Sequence, residues 1–325
     1  MKRFSMILIL TVMLFTMIQC KDKSDEKMPT IGLFQFASRM TVDEAMKGVR
    51  AVLADSGYID GKNCRFVYRN AENDFGTAQS MAQEFVVKNV DIIITITTPC
   101  LQVTANANKT IPHVFGMVTD PYLVGVAKSQ TDHQPNLTGL ATFQPVTEGI
   151  DLIKQVLPKA KRIGVIWSPS EICSQACMDR MRPAMKKNGL ELIEVTVTNT
   201  NEVQMAAQSL VDKKVDAVYI SGDNTVELAI ATITAVSNPA KIPVVTNNPM
   251  HTENGALMSI GADYNTVGKE TAKLAIRVLK GEKPADIPIS DLLPKELWLN
   301  QKVATKMGIC FPENVLAQAK KIVGK

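Results

Sequence analysis

Histidine is nearly absent from this 325-residue chain: only His113, His133 and His251 occur, widely spaced. That spacing matches no zinc pattern. Aromatic residues make up 5% of the sequence, too few to supply repeated stacking platforms for single-stranded nucleic acid. Charge of one sign is also lacking, since the net charge is +4. Lys2 and Arg3 account for part of it, and the chain after position 19 carries 34 basic and 32 acidic residues. A near-neutral chain gives no electrostatic case for nucleic acid. Catalytic signatures are missing too. There is no G-x-S-x-G elbow, no P-loop and no G-x-G-x-x-G after the first expected strand. Cys100 opens an expected helix, where a thiol can be activated, but no histidine is placed by sequence to serve as its base. No cofactor or metal is expected, and the chain reads as a binder, not an enzyme.

Only one apolar run is long. Lys2 and Arg3 precede an almost uncharged stretch from Phe4 to Ile18, then Cys20, then the polar segment Lys21 to Lys27. This is the grammar of a signal peptide, and it is short for a spanning helix of about 20 residues. The expectation is a signal peptide over 1–19, lipidation of Cys20, and a polar tether over 20–29. Met17-Ile18-Gln19-Cys20 is similar to a lipobox, with Gln19 departing from the small residue usual before the cysteine. Five cysteines remain, an odd number for an exported chain, which argues against a complete disulfide framework and leaves one or two bridges or free thiols as the readings. Cys173 and Cys177 sit four apart, a spacing that would strain a bridge within a regular helix.

The rest of the chain has a 46% hydrophobic composition overall and is long enough for two domains. Short apolar runs alternate with stretches of helical period. Strands are expected at 31–36, 66–68, 91–96, 112–118, 162–167, 191–197, 217–220 and 243–246. Helices intervene, one opening on Thr41-Val42-Asp43-Glu44 as a capping box, one ending at Gly189. The fold class is α/β: two doubly wound parallel-sheet lobes joined by a multi-strand hinge. The expected first lobe is 30–145 plus about 256–286. The expected second lobe is 146–255 plus about 287–325. The first crossing is expected within 138–145, the run 257–260 returns to the first lobe, and the chain closes with a helix from about Glu313.

In doubly wound sheets, ligands collect at the carboxyl ends of strands. The loops there are rich in hydroxyls, amides and aspartate: Phe36-Ala37-Ser38, Thr97-Thr98-Pro99, Thr119-Asp120-Pro121, Ser168-Pro169-Ser170-Glu171, Ser221-Gly222-Asp223-Asn224 and Asn247-Asn248-Pro249. Thr98 is placed to cap a helix with Pro99 in its first turn, leaving free amides that suit a carboxylate. Ser170 is a second such cap. Asp120 and Asp223 each have two readings. Either pairs with a ligand ammonium, or Asp120 fixes a turn before Pro121 and Asp223 caps a helix. The candidate ligand-binding residues are Phe36, Thr97, Thr98, Thr119, Asp120, Ser170, Asp223, Asn224 and Asn247.

These loops carry a resemblance. The chain resembles the ABC transporter substrate-binding protein family of the tryptophan/tyrosine-binding type, with a type I periplasmic-binding fold. The resemblance rests on Gly57 to Asn63, on Asp91 through Thr98-Pro99, on Ile111-Pro112 leading to Thr119-Asp120-Pro121, and on Ser168 to Glu171. It continues in Val215-Asp216-Ala217 through Val226 and in Gly281 to Pro288. Three features depart from the family pattern: Cys100 in place of a small residue, Asn247-Asn248-Pro249 in place of a Ser/Asp loop, and the Cys173/Cys177 pair. The resemblance implies an extracytoplasmic lipoprotein, held to the membrane through Cys20, that binds an amino acid between its lobes and delivers it to ABC permease subunits. Hinge closure around the solute is the implied mechanism. The alternatives are a sensing protein of the same fold, a binder of a nucleoside, purine or other small anion, and a cytosolic repressor core. The export signal and the lack of a helix-turn-helix segment argue against the last.

Overall fold

The computed structural model describes residues 28–324. The expected signal peptide and Cys20 lie outside the described residues. The elements, in chain order, are β1 (Thr30–Gln35), α1 (Met40–Asp55), β2 (Arg65–Asn70), α2 (Phe75–Val87), β3 (Ile92–Ile96), α3 (Thr98–Ala107), β4 (His113–Val118) and β5 (Leu137–Ala141). They continue as α4 (Val146–Val156), β6 (Arg162–Trp167), α5 (Ile172–Lys187), β7 (Glu191–Thr196), α6 (Val203–Asp212), β8 (Ala217–Ile220), α7 (Asn224–Leu228), α8 (Ile230–Ser237) and β9 (Val244–Thr246). The last are β10 (Met258–Ala262), α9 (Tyr264–Leu279), β11 (Ser290–Asp291), β12 (Lys295–Asn300), α10 (Gln301–Met307), α11 (Glu313–Gln318) and β13 (Ala319–Val323).

Two sheets result. The first runs β11-β5-β4-β3-β1-β2, and every pair in it is parallel. The second runs β13-β12-β10-β9-β8-β6-β7, with β10–β12 its one antiparallel pair. Strand β3 is buried on both faces, as helices on each side of a parallel sheet require. Ile92, Ile94 and Ile96 pack with α1 and α9 through Val42, Ala45 and Val267. Ile93 points the other way, toward Phe85 of α2 and Val103 of α3. The α1–α9 crossing depends on two glycines. A Cβ at Gly48 would collide with the Asn265 carbonyl, and one at Gly268 with that of Ala45.

The chain passes between the lobes three times: at 142–145, at Asp263 and at 292–294. Several strands therefore join the lobes, an arrangement that suits hinge motion.

Some elements differ from expectation. The run 257–260 does not return to the first lobe: β10 pairs with β9 and β12 in the second sheet. Ser290–Asp291 joins the first sheet beside β5, although 287–325 was expected wholly in the second lobe. The terminal helix stops at Gln318, and β13 follows as an edge strand on β12. After β8, Ala229 separates two short helices, α7 and α8. The capping box does not form: Arg39 is the N-cap of α1, with no side-chain cap, and Thr41 is buried inside the first turn. Gly189 does end α5's turn, with φ of 67°. No helix among the described residues is long and apolar enough to cross a membrane.

Candidate functional site

The carboxyl ends of both sheets face each other, and a cleft lies between them. Thr97, Thr98, Met117 and Thr119 line it from the first lobe, and Cys173, Gly222, Asn224 and Glu227 from the second. Gln144 and Tyr264 close its base at two of the crossings, with the Gln144 Nε2 donating to the Tyr264 hydroxyl at 3.1 Å. The space enclosed is about 20 Å³, room for about one water molecule. A larger solute enters only when the lobes part.

Arg39 is the main tie across the cleft. It leaves the first lobe at the start of α1, and its Nη1 lies 3.2 Å from Glu227 Oε2. Its Nη2 donates to Asn224 Oδ1. Both ends of the ion pair are nearly dry, with 11% and 7% of the side chains exposed. Breaking such a pair on one side costs several kcal/mol, on the order of 3–5, because the other charge stays buried.

The first-lobe wall is conformationally strained. Thr97 has φ of 87° and Met117 φ of 57°, both left-handed, and neither is glycine. A β-branched residue there is an outlier, and such strain gathers at functional sites. The β4–β5 register also shifts between Phe115 and Val118. Thr97 is the N-cap of α3 but makes no side-chain cap, and its buried hydroxyl has no hydrogen-bond partner. Thr98 begins the helix and does not cap it; its hydroxyl accepts from the Thr119 amide at 3.3 Å. The first-turn amides of α3 still face the cleft end of the helix, where the dipole favours an anion.

The second-lobe wall is acidic and internally satisfied. Glu171 is buried and accepts from the Asn224 amide at 2.9 Å, from Asn224 Nδ2 at 2.6 Å and from the Thr225 amide at 2.8 Å. Asp223 accepts from the Ser168 amide at 2.6 Å, the Ser174 hydroxyl at 2.7 Å and the Val226 amide at 2.8 Å. Burial first, and then the Glu171 charge, raise the Asp223 carboxyl to about 8. Burial likewise raises Glu227, against the pull of Arg39. Burial and Glu171 push the Cys173 thiol well up, so it is a poor nucleophile. Cys177 is pushed up to about 12 by burial. All five described cysteines are free.

Several expected site residues stand elsewhere. Thr97, Thr98, Thr119 and Asn224 do meet in the cleft. Asp223 is buried and does not line the cleft: it caps α7 and holds the Ser168 loop. Asp120 fixes a turn, accepting from the Tyr122 and Leu123 amides at 3.0 and 2.9 Å. Ser170 is exposed and bonds Ser168; Glu171, one residue later, is the N-cap of α5. Phe36 is 2% exposed and tilts against Phe75 at 4.9 Å, in the core behind the loop. Asn247 accepts from the Tyr219 hydroxyl at 2.7 Å and donates to the Ile260 carbonyl at 2.9 Å, tying β8 to β10. Sequence reasoning missed Arg39, Gln144, Glu227 and Tyr264. Arg39 follows the Phe36-Ala37-Ser38 loop by one position, and Glu227 lies one helical turn past Asp223, so both were within reach of the loop argument.

The relatives agree with this architecture. A curated tyrosine-binding protein of Clostridioides difficile (strain R20291) is 36% identical over 281 residues, covering 86% of this chain and 81% of the relative. An ABC domain from Streptococcus pneumoniae, solved in complex with L-Trp, superposes with a TM-score of 0.87 at 30% identity, covering 91% of this chain and 99% of that one. The ligand-free, open structure of a substrate-binding protein with adhesive properties from Clostridium difficile gives 0.69 at 31% identity, covering 91% and 100%. The signature of the ABC transporter substrate binding protein family matches residues 30–323. With two facing sheets, three crossings and a polar cleft between them, the chain belongs to the ABC transporter substrate-binding protein family, a family of solute binders and not of enzymes.

Proposed function

We propose that this protein binds an aromatic amino acid between its lobes and delivers it to an ABC importer from outside the cytoplasm, anchored through a lipid on Cys20. The observation that carries the ligand class is the Arg39–Glu227 pair spanning the cleft at 3.2 Å. A zwitterion inserted there replaces one ion pair by two: its carboxylate meets Arg39 and the α3 amides, and its ammonium meets Glu227. Met117 and Tyr264 supply the apolar surface beside it. The relatives that name tyrosine and L-Trp support the aromatic side chain. Closure follows because only the closed arrangement makes both sets of contacts.

Thermal unfolding of the full chain in mild detergent, against a panel of amino acids, tests this. A ligand at 100 times its dissociation constant adds about 2.7 kcal/mol and raises the midpoint. The shift is expected with L-tryptophan or L-tyrosine. A shift with nucleosides alone, and with no amino acid, would reject the assignment.

A further inference from the structure

A second cavity, open to solvent on the side of Arg180 and Asp291, lies at the hinge, with a volume of about 440 Å³. That volume falls in the range of small-molecule pockets, about 300–1,000 Å³. Tyr122 enters it from the first lobe and Arg180 from α5 of the second. Phe143, Leu292 and Leu293 come from two of the crossings themselves. The segment 142–145 forms the partition: Gln144 lines the cleft and its neighbour Phe143 lines the hinge cavity.

The chemistry of the lining is mixed. The Arg180 guanidinium stacks on Phe143, 3.2 Å from the ring centroid. Among the described residues no carboxylate forms an ion pair with Arg180. Asp291 and Asp120 also line the cavity. Asp291 accepts only a Gln130 amide at 3.2 Å, through Oδ2. After burial, these two carboxylates are what raise the Tyr122 phenol, so they act on the same space. One unpaired cation, two carboxylates and a leucine–aromatic floor suit a molecule with both charges and a flat apolar body.

We propose that the hinge cavity is a second solute site for an aromatic amino acid, with its carboxylate on Arg180, its ammonium toward Asp291 and its ring against Phe143 and the leucines. The site stands whether or not the cleft takes the same solute. Arg180 belongs to one lobe and Tyr122 to the other, so an occupant favours one interlobe angle. Occupancy of the hinge and of the cleft are therefore coupled, and the coupling is reciprocal.

Titration calorimetry of the full chain in detergent with L-tryptophan tests the proposal. Wild type is expected to bind two molecules per chain. Arg180→Ala removes one of them or weakens it at least tenfold; Arg180→Lys, which keeps the charge without the planar stack, recovers part of the loss. Arg180 is exposed, so the variants fold, and their unfolding midpoints check this. In Arg39→Ala the surviving site is the one that Arg180→Ala abolishes. One molecule per chain, lost in Arg39→Ala and unchanged within twofold in Arg180→Ala and Phe143→Leu, overturns the hinge site and leaves the cleft assignment standing. Binding abolished by Arg180→Ala and untouched by Arg39→Ala supports the hinge site and rejects the cleft assignment.

Discussion

The two walls of the cleft differ in where their polar groups find partners. On the second lobe, Glu171 and Asp223 are saturated by amides and hydroxyls of their own lobe. On the first lobe, Arg39 finds its cleft partners only across the gap, and the Thr97 hydroxyl has none. The second wall is thus a rigid, prebuilt surface, while the first holds groups that need something from outside their lobe. Glu227 and Asn224 are the exceptions on their side, because both reach Arg39 across the gap. Ligand chemistry should be read from Arg39, Glu227 and Thr97, not from the more conspicuous Asp223.

Arg39→Ala acts most strongly on this asymmetry between the walls. It removes the cation of the first wall and strands Glu227, and solute affinity should fall about 100-fold, since losing one member of a buried charge pair costs 2–5 kcal/mol. Calorimetry reads it directly, and a change below threefold would mean that the two walls are alike.

Gly222→Ala probes the rigidity of the second wall. Gly222 has φ of 62°, and a Cβ there would strike the Cys177 sulfur. A loss of about 2 kcal/mol in chemical denaturation is expected. Adding Cys177→Ala should recover part of it, and no recovery would place the strain elsewhere.

The pH dependence of stability sharpens the same point. Asp223 rises from an ordinary 3.8 to about 8 in the folded chain. The native state then holds more protons than the unfolded one between those values. Its contribution is full below about 3.8 and is lost as pH rises through about 8. Glu227 shifts in the same direction. Between about pH 5 and 6.5 the buried His113 and His251, lowered to about 3, act in the opposite sense, because only the unfolded chain takes up their protons. The decline is therefore expected between about pH 7 and pH 8, and Asp223→Asn should flatten it. A slope of opposite sign would show that the second wall is not the proton store.

The smallest effect belongs to Ser170→Ala. Ser170 is exposed and outside the cleft, so affinity should change by less than twofold.

Much of the fold is legible in the sequence because it is local. Buried parallel strands such as Ile92–Ile96 are uniformly apolar, and Gly189 marks a helix end with a left-handed residue. Strand pairing is not local. The apolar run before Ala262 suits either sheet, and only the tertiary partners Val245 and Leu299 assign Met258 to the second. β13 was missed because its residues are half-exposed and lysine-rich, as edge strands are. In the site, the loop rule found Thr97, Thr98, Thr119 and Asn224. It could not rank acids by who satisfies them, so it favoured Asp223 over Glu227. Arg39 pairs with residues 185 and 188 positions away, a separation that no local pattern encodes.

In the proposed function, Arg39 reads the carboxylate of an amino acid held between the lobes. The direct measurement compares L-tryptophan with tryptamine, which lacks the carboxylate, by calorimetry in the Arg180→Ala background, so that only the cleft is read. L-Tryptophan should bind at least tenfold tighter than tryptamine, and adding Arg39→Ala should erase that difference. Equal binding of the two compounds, or a preference that survives Arg39→Ala, would contradict the account.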